Sequence, residues 1–455
     1  MAKILYICPS HIKSLINGPF HEQLIHALVK AGNKVLLMKI NDFTQYSLRS
    51  NKLLSIINEK KLTSTIQNFG PDIVFSFNHS MYYPILKKLD CPILVFGADS
   101  PPTWIDPNII KKNKNRYKAL HFSESTIASA QSMGITNNEV IGYASDMTSE
   151  QIPKKHNISF IGTKFRSDSV QLFLRKHRHD MKILKQLYIK LKTIKSNPLE
   201  KITFQNLNHL DLLSALSEEK RNFILNSISD LGLGLYGDRD WITNSNHSLD
   251  IMNSYNNSTI FTCKGNQDLY NSSKLSINIS HAQSDTENMP FRVCDIMSTT
   301  AVLISDEKKI YDRLFGKYVK IPTFSNKFEA RELCIKLLKD KEWRDDLVKG
   351  SNEAIQNGEF RFHHMIKKLE SISGILLTPD TEGAFDFINP KNVMNHLSLN
   401  LLVESNVLFL FQCSATLLPN SIVERIANIA KTNPLRKHIP NVIIEHYKKH
   451  FKEYD

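Results

Sequence analysis

Two acidic residues flank a predicted helix start within residues 270–306, the stretch with the most chemistry-bearing side chains. Glu287 lies in a polar loop and Asp295 lies inside the helix that follows, with seven residues between them. At 1.5 Å of rise per helical residue, the two acids are roughly 12 Å apart. Pro290 suits the first helical turn, where its missing N–H would have no partner. The free N–H groups at a helix start bind anions, and the helix dipole strengthens that attraction.

This layout fits a nucleotide-sugar, with its diphosphate at the helix start, its ribose at Asp295 and its sugar near Glu287. Other candidate donor contacts surround the helix start: Asn288, Met289, Pro290 and Arg292. The spacing alone leaves a plainer alternative open. An ordinary unit of strand, helix and strand also carries surface glutamates and solvated helix aspartates.

The pattern around the two acids predicts such a unit. Residues 274–280 are short, apolar and rich in β-formers, which is typical of a buried parallel strand. Residues 301–304 predict the next buried strand. We therefore expect the loop and the helix start at the carboxyl end of a parallel sheet, where ligands bind in this class of fold.

The segment YNSSKLSINIS, followed by N-x-x-x-R-V-x-D-I-M-S and VLISD, resembles the CgeB-like (spore-maturation-type) glycosyltransferases. These belong to the GT-B class, in which two acids separated by seven residues bind the nucleotide-sugar. The resemblance covers about residues 1–370 and implies an α/β fold of two Rossmann-like, doubly wound domains facing across a cleft. Asp295 and Cys294 depart from the family pattern, which has glutamate and phenylalanine at these positions.

We expect three parts in the chain. Residues 1–150 form a Rossmann-like domain on the acceptor side, and residues 157–375 form the nucleotide-sugar-binding domain with a helical insertion at about 167–228. Residues 380–455 form a mostly helical appendage without an assigned role. Other local predictions are helices at 53–67 and 82–89, helices or strands at 393–411 and 422–429, strands at 139–143, 259–263 and 318–321, and a linker at 379–390.

The resemblance also implies donor contacts elsewhere in the chain. Gly162 would leave room for the donor, and Lys164 or Arg166 would offset the charge of the pyrophosphate. The remaining donor-side candidates are Gly18 at the phosphate, Tyr236 and Gly237 at the base, and Lys264 as a second cation. For Gly18, a plain turn glycine is an equally good interpretation.

Asp99 is the candidate acceptor-side acid, because it follows a predicted strand in PILVFGADSPPTW, which is similar to the family's first domain. It would position the acceptor hydroxyl or act as general base. An aspartate that opens a proline-rich turn is the alternative. His79 and His21 are further candidates on this side, and both also suit structural roles.

Charge and composition limit the partners. The formal net charge is +13, and apolar residues at helical spacing within residues 164–201 predict a basic amphipathic helix. Such a helix suits an anionic membrane surface or is simply a solvated face, and nucleic acid is disfavoured because no aromatic-interleaved basic motif accompanies it. No secretion signal, no apolar run of roughly 20 residues and no CxxC pair occur, so we expect a cytoplasmic protein. If the basic helix meets lipid, the protein would be peripheral on the inner face of the membrane.

The predicted function is transfer of a sugar from a nucleotide-sugar to a hydroxyl acceptor. The resemblance implies a metal-independent enzyme without a cofactor and allows a retaining outcome. Its acceptor would be a glycan, a lipid-linked sugar or a protein in bacterial surface polysaccharide, glycolipid or glycoprotein synthesis. One Asp-x-Asp, a sequence typical of metal-binding sites in other glycosyltransferases, occurs at residues 238–240, next to Tyr236 and Gly237, the candidate contacts of the nucleotide base. The alternatives are a non-catalytic nucleotide-sugar-binding protein and a phosphorolytic or epimerising enzyme on the same frame.

Overall fold

The computed structural model describes residues 1–9, 18–39, 58–77, 88–99, 101, 111–165, 167–243, 249–258, 260, 262–284 and 287–393. The candidates His79 and Arg166 lie outside these ranges. So do residues 82–87 of a predicted helix, residues 394–411 and 422–429, which were predicted as helices or strands, and nearly all of the predicted appendage.

Two parallel sheets form the frame of the described chain. The strands of the first sheet are β1 Lys3–Cys8, β2 Lys34–Lys39, β3 Ile73–Phe77, β4 Ile93–Gly97, β5 Tyr117–His121, β6 Asn138–Val140 and β12 Ala384–Phe387, in the order β12-β2-β1-β3-β4-β5-β6. The strands of the second are β7 His156–Ile161, β8 Leu233–Tyr236, β9 Ser273–Asn278, β10 Val302–Asp306 and β11 Thr323–Phe324, in the order β11-β10-β9-β7-β8. Central strands such as β3 and β4 are buried along their whole length, as helices on both faces of a parallel sheet require.

Helices connect the strands in both halves. Those packed with the first sheet are α1 Gly18–Lys30, α2 Glu59–Phe69 and α3 Glu124–Ser132. Those that follow are α4 Asp168–Lys176, α5 Met181–Ser196, α6 His209–Ile228, α7 Asp240–Thr243, α8 Leu249–Ser254, α9 Cys263–Asn271, α10 Arg292–Met297, α11 Lys309–Phe315, α12 Lys327–Lys339, α13 Lys341–Asn357 and α14 Phe362–Ser373. Among these described helices, none combines the length and the apolar content that a membrane crossing requires.

The stretch predicted as a helical insertion consists of α4, α5 and α6. These helices share a small apolar cluster of their own, which includes Phe173, Leu187 and Leu212. Helix α6 begins with a capping box between Asn208 and Asp211, which satisfies two of its orphan backbone donors. Arg221 of the same helix donates to the carbonyls of Thr163 and Ile279, which follow β7 and β9, so the insertion is anchored beside the second sheet.

An aromatic cluster joins the two halves. The ring of Phe20 in α1 stacks on that of Phe291, which precedes α10, with 4.1 Å between centroids. Phe122 lies edge-on to Phe291 at 4.7 Å, and Phe362 of α14 packs against Phe20. The start of α10 is therefore held by residues of the first half of the chain.

Several local predictions differ from the structure. Helix α10 begins at Arg292 and not at Pro290, and α2 covers Glu59–Phe69 where 53–67 was predicted, of which 53–57 lie outside the described ranges. Leu89 is not helical, residues 318–321 form no strand, and the predicted strand at 139–143 is shifted to β6. Cys263 and Lys264 open helix α9 instead of ending a strand at 259–263, because Thr262 caps the helix through the Gly265 amide.

The predicted linker at 379–390 contains strand β12. This strand pairs in parallel with β2, so the chain returns to the first sheet after completing the second. Gly383 permits this return, since a Cβ there would lie 1.9 Å from the carbonyl oxygen of Val29. Alternating apolar residues in AFDF carried the signal, but four residues are too few to separate a strand from a linker.

Candidate active site

A cavity of about 260 Å³ lies between the two sheets. Its walls include residues that lie within four positions after a strand, namely Asp99 after β4, Phe122 after β5, Phe165 after β7 and His281 after β9. These are the carboxyl ends of parallel strands, where ligands of doubly wound folds bind. The predicted cleft is therefore present, and it includes Asp99, Asn288, Met289, Pro290 and Arg292.

Two arginine side chains in this cavity have buried N–H groups that find no partner within the described part of the chain. Arg221 of α6 is 1% exposed and donates from Nη2 to the carbonyl of Ile279 at 2.9 Å, and from Nη1 to the carbonyl of Thr163. Among the described residues, neither Arg221 Nε nor the buried Nη1 of Arg292 has a hydrogen-bond partner. Buried polar groups are nearly always paired, so these donors indicate a place for an acceptor that is not part of the chain.

The electrostatics agree with this interpretation. Burial lowers the pKa of the Arg221 guanidinium well below its usual value, and the charge of Arg292 lowers it further. Burial likewise lowers the pKa of Arg292. Two like charges in a desolvated space repel each other, and an anion with several acceptor oxygens would relieve both the repulsion and the missing hydrogen bonds.

Neighbouring contacts hold Arg221 in place. Lys220 donates to Asp306 of β10 at 2.6 Å, and Asp306 also accepts from Ser280, so α6 is fixed against the second sheet. A Cβ on Gly162 would lie 3.2 Å from Arg221 Nη1, and one on Gly237 would lie 2.1 Å from the carbonyl oxygen of Gly162. The two predicted glycines therefore act by letting the ends of β7 and β8 approach each other beside the arginine.

Asp99 lines the same cavity from the first half of the chain. Gln283 donates from Nε2 to Asp99 Oδ1 at 2.7 Å, a bond that crosses between the two halves. Burial raises the pKa of the Asp99 carboxyl, while the hydrogen bond from Gln283 lowers it. A carboxyl with a raised pKa at a cleft is suited to accept a proton from a hydroxyl.

Phe165 and His281 form another wall. The ring of Phe165 lies 4.3 Å from the Arg221 guanidinium and 4.2 Å from the His281 ring. Burial lowers the pKa of His281 to about 3, with Arg221 and Lys220 adding to the shift, so this imidazole is neutral at pH 7. Phe165 has φ of 61°, which is rare for a bulky residue and is found mostly at functional sites.

The helix start offers fewer backbone donors than the sequence predicts. The amides of Val293 and Cys294 donate to the carbonyls of Pro290 and Phe291, both at 3.1 Å, and the Met289 amide donates to the Tyr143 hydroxyl. Tyr143 also donates to the side chain of Asn288. Because these amides are already hydrogen-bonded, they are poor candidates for binding the diphosphate. The guanidinium groups of Arg221 and Arg292 are better candidates for that role than the helix start that the sequence predicts.

The two acids that were expected to flank the donor face different neighbours. Glu287 forms an ion pair with Arg313 of α11 at 3.2 Å. Asp295 is 4% exposed and accepts at Oδ1 from Ser145 at 2.7 Å and from Gln23 of α1 at 3.1 Å. Asp295 therefore binds the first half of the chain in this structure, and its contact with a ribose stays a prediction.

We expect Asp295→Asn to stabilise the unliganded protein at neutral pH. Burial raises the Asp295 pKa from 3.8 to about 6, so its contribution to stability is complete below pH 4 and is lost as the pH rises through 6. This difference corresponds to roughly 3 kcal/mol at neutral pH, and asparagine keeps the acceptor oxygen without the charge. Urea unfolding of both proteins from about pH 4 to about pH 7.5 measures the effect.

Asp346→Asn, on the exposed face of α13, is the matched control and should leave the pH dependence of unfolding unchanged. A variant Asp295→Asn that is less stable than the original protein at neutral pH would contradict the expected sign.

The other predicted donor contacts lie apart from the cavity wall. Tyr236 bonds His156 at 2.9 Å and accepts from Asn256, and Lys264 is exposed and paired with Glu150 and Asp268. Lys164 is buried, with its amide donating to Asp238 and its ammonium 6.0 Å from the Trp241 ring centroid. Gly18 opens α1 at φ of 73° in open space, and His21 bonds the Tyr6 hydroxyl at 2.8 Å.

Sequence reasoning missed Arg221, Gln283, Tyr143, Phe165 and His281. For Arg221 a signal exists: Leu213, Ser217, Arg221 and Leu225 are spaced by four residues on the buried side of α6, and a charged residue in such a stripe is a candidate for function. The loop residues carry no comparable local signal, because only the packing of the two halves brings them together.

One segment of the chain matches a known protein family. Residues 220–371, which carry Arg221, Glu287, Arg292 and Asp295, match the family model described as glycosyl transferase-like. No curated protein matches the sequence. Similar solved structures are T4 phage BGT in complex with UDP-glucose (11% identity, 82% of this chain and 100% of that one, TM-score 0.43), a glycosyltransferase from Rickettsia africae (14%, 84% and 99%, 0.44) and sucrose-phosphate synthase from Thermosynechococcus elongatus (10%, 82% and 98%, 0.48).

The narrower CgeB-like assignment stays a prediction. The predicted α/β fold of two parallel sheets on either side of a cavity is confirmed, and residues 220–371 match a glycosyl transferase-like family model.

Proposed function

We propose that this chain transfers a sugar from a nucleotide-sugar donor to a hydroxyl acceptor, with the donor diphosphate bound at Arg221 and Arg292. The observation that carries the proposal is the pair of buried, partner-deficient guanidinium groups in one cavity, with the Asp99 carboxyl in the same wall. Guanidinium groups pair with phosphate oxygens through two parallel hydrogen bonds. They would also neutralise the charge that develops on the leaving nucleoside diphosphate.

The donor extends beyond the cavity in this proposal. A volume of about 260 Å³ is below the roughly 300–1,000 Å³ of common ligand pockets. The diphosphate and sugar would occupy the cavity, while base and ribose would bind towards Gly237, Tyr236 and Asp295. Because Asp295 bonds Gln23 and Ser145, ribose binding would require these contacts to open.

Asp99 completes the chemistry as general base. The acceptor oxygen forms a bond to the anomeric carbon, the bond from that carbon to the phosphate oxygen breaks, and the acceptor proton passes to the Asp99 carboxylate. The nucleoside diphosphate leaves with the electron pair of the broken bond. This arrangement applies to a single displacement, whereas the resemblance also allows a retaining outcome. We propose a glycan, lipid-linked or protein acceptor in bacterial surface glycan synthesis.

A panel of nucleotide-sugars tests the proposal. We expect slow hydrolysis of one donor in the absence of acceptor, measured as released nucleoside diphosphate, and loss of that hydrolysis in Glu287→Ala, because the resemblance places Glu287 near the sugar of the donor. Arg313→Ala is the matched control, because it removes the same surface ion pair without removing the acid.

The outcomes separate the alternatives. Binding of a donor without turnover, with or without added acceptors, favours a nucleotide-sugar-binding protein. Turnover that requires inorganic phosphate, or that changes the sugar without releasing it, favours a phosphorolytic or epimerising enzyme. If no donor binds, the proposed function is wrong.

A further inference from the structure

The apolar side of α5 is not available to a membrane. Ile183, Leu187, Leu191 and Ile194, the residues whose spacing predicts an amphipathic helix, pack into the apolar cluster shared with α4 and α6. Leu187 and Ile194 are buried to 3% and 0% exposure. The apolar side of α5, which the sequence predicts as a candidate for contact with lipid, is therefore covered by the protein itself.

The opposite side of α5 carries a second set of apolar residues. Met181, Tyr188 and Ile189 are each about 60% exposed, at 61%, 59% and 60%. Met181, Lys185, Tyr188 and Lys192 follow one another at spacings of four, three and four residues, and so form one stripe on the helix. We call Met181, Lys182, Lys185, Tyr188, Ile189 and Lys192 the outer face of α5.

The charge of this face is unbalanced. Helix α5 contains five lysines and no acid. Residues 171–196 as a whole carry eight lysines and arginines against one aspartate. On other helices of this chain, lysines pair with acids four residues away, as in Lys264 with Asp268, Lys336 with Glu332 and Lys341 with Asp345. A merely solvated face would be expected to show the same mixture.

We propose that the outer face of α5 binds the surface of an anionic phospholipid bilayer. The lysine ammonium groups would lie among the anionic headgroups, and Met181, Tyr188 and Ile189 would enter the boundary between headgroups and acyl chains. Aliphatic side chains at the centre of the patch favour lipid over nucleic acid, which binds single strands through stacked aromatic rings.

This surface is physically connected to the cavity. Helix α6, which carries Arg221, packs on α5 through the shared cluster, and Ala282 of the cavity loop packs against the same cluster. A protein docked through α5 would therefore hold its sugar-transfer site at a fixed distance from the bilayer. The proposal is independent of the proposed function, because lipid binding is measured without donor or acceptor.

Co-sedimentation with vesicles tests the proposal on the full chain. We expect binding to vesicles of phosphatidylcholine with phosphatidylglycerol, little binding to phosphatidylcholine alone, and weakening by salt. The triple variant Lys182→Glu, Lys185→Glu and Lys192→Glu should lower the partition coefficient at least roughly tenfold. The matched control Lys320→Glu, Lys339→Glu and Lys349→Glu makes the same change of charge on exposed lysines elsewhere and should retain most of the binding.

A second variant tests the apolar part. Tyr188→Ser with Ile189→Ser keeps the charge, and it should reduce the binding that persists at high salt. Unchanged melting temperatures and donor hydrolysis would show that the variants are folded. The proposal is overturned if the wild-type chain does not bind anionic vesicles, if both triple variants lose binding equally, or if the face binds RNA or DNA but not vesicles.

Discussion

Arg292→Met is expected to abolish most of the activity while making the unliganded protein more stable. The buried Nη1 of Arg292 has no hydrogen-bond partner in the described chain, and Arg221 repels its charge. Removing an unsatisfied, desolvated donor should stabilise the free protein by about 1–3 kcal/mol. Loss of a cation that acts on the leaving phosphate should slow donor hydrolysis by about 10²–10³-fold. Hydrolysis rates and urea unfolding without ligand measure the two effects.

Two further variants sharpen this experiment. Arg292→Lys keeps the charge but loses the planar pair of donors, so an intermediate rate is expected. Arg331→Met is the matched control. Arg331 lies on the surface in α12, where it pairs with Asp230, so its loss should leave the hydrolysis rate unchanged. If the Arg292→Met protein is both inactive and less stable to unfolding than the original protein, then Arg292 stabilises the fold, and the proposal that it binds an anion is wrong.

A substitution that lowers activity while raising stability indicates that the side chain binds a ligand, whereas loss of both indicates a structural role. The Asp295 carboxyl belongs to the same class, because burial raises its pKa while its hydrogen bonds from Ser145 and Gln23 lower it. Both charges are costly in the free protein. A nucleotide-sugar whose phosphate accepts from Arg292 and whose ribose hydroxyl donates to Asp295 would offset part of that cost on binding, which favours closure of the two halves around it.

The sequence predicts those features that depend on local periodicity. The apolar runs of β1, β3, β4, β9 and β10 are long enough, and rich enough in β-formers, to mark buried parallel strands. The alternation with helices then leaves a doubly wound fold as the natural architecture. Asp99 and Arg292 were found because each lies beside the end of a predicted element, where such folds place their ligands.

Features that depend on long-range packing could not be predicted in this way. Gln283 and Asp99 are 184 positions apart, and their hydrogen bond exists only because the two sheets face each other. The orientation of Asp295 towards α1 depends on the same contact. In α5 the apolar periodicity predicts the helix correctly. It does not distinguish packing against lipid from packing against protein, because either environment buries the apolar side of the helix.

The second large effect is expected for Asp99→Asn, which should slow donor hydrolysis by about 10²–10⁴-fold through loss of the general base. The affinity for the donor should stay nearly unchanged, because asparagine has the same shape and the site of the diphosphate is formed by other residues. Turnover of the donor selected from the panel gives the rate, and calorimetry gives the dissociation constant.

The pH dependence makes this prediction specific to proton transfer. Burial raises the pKa of Asp99 above its usual value, so the rate should rise with pH through a midpoint above 3.8 as the carboxyl loses its proton. Because the hydrogen bond from Gln283 lowers that pKa, Gln283→Ala should move the midpoint to higher pH. In Asp99→Asn the same limb should disappear. A rate that falls in Asp99→Asn but keeps its acid limb would assign the proton transfer to another group and leave Asp99 to position the acceptor.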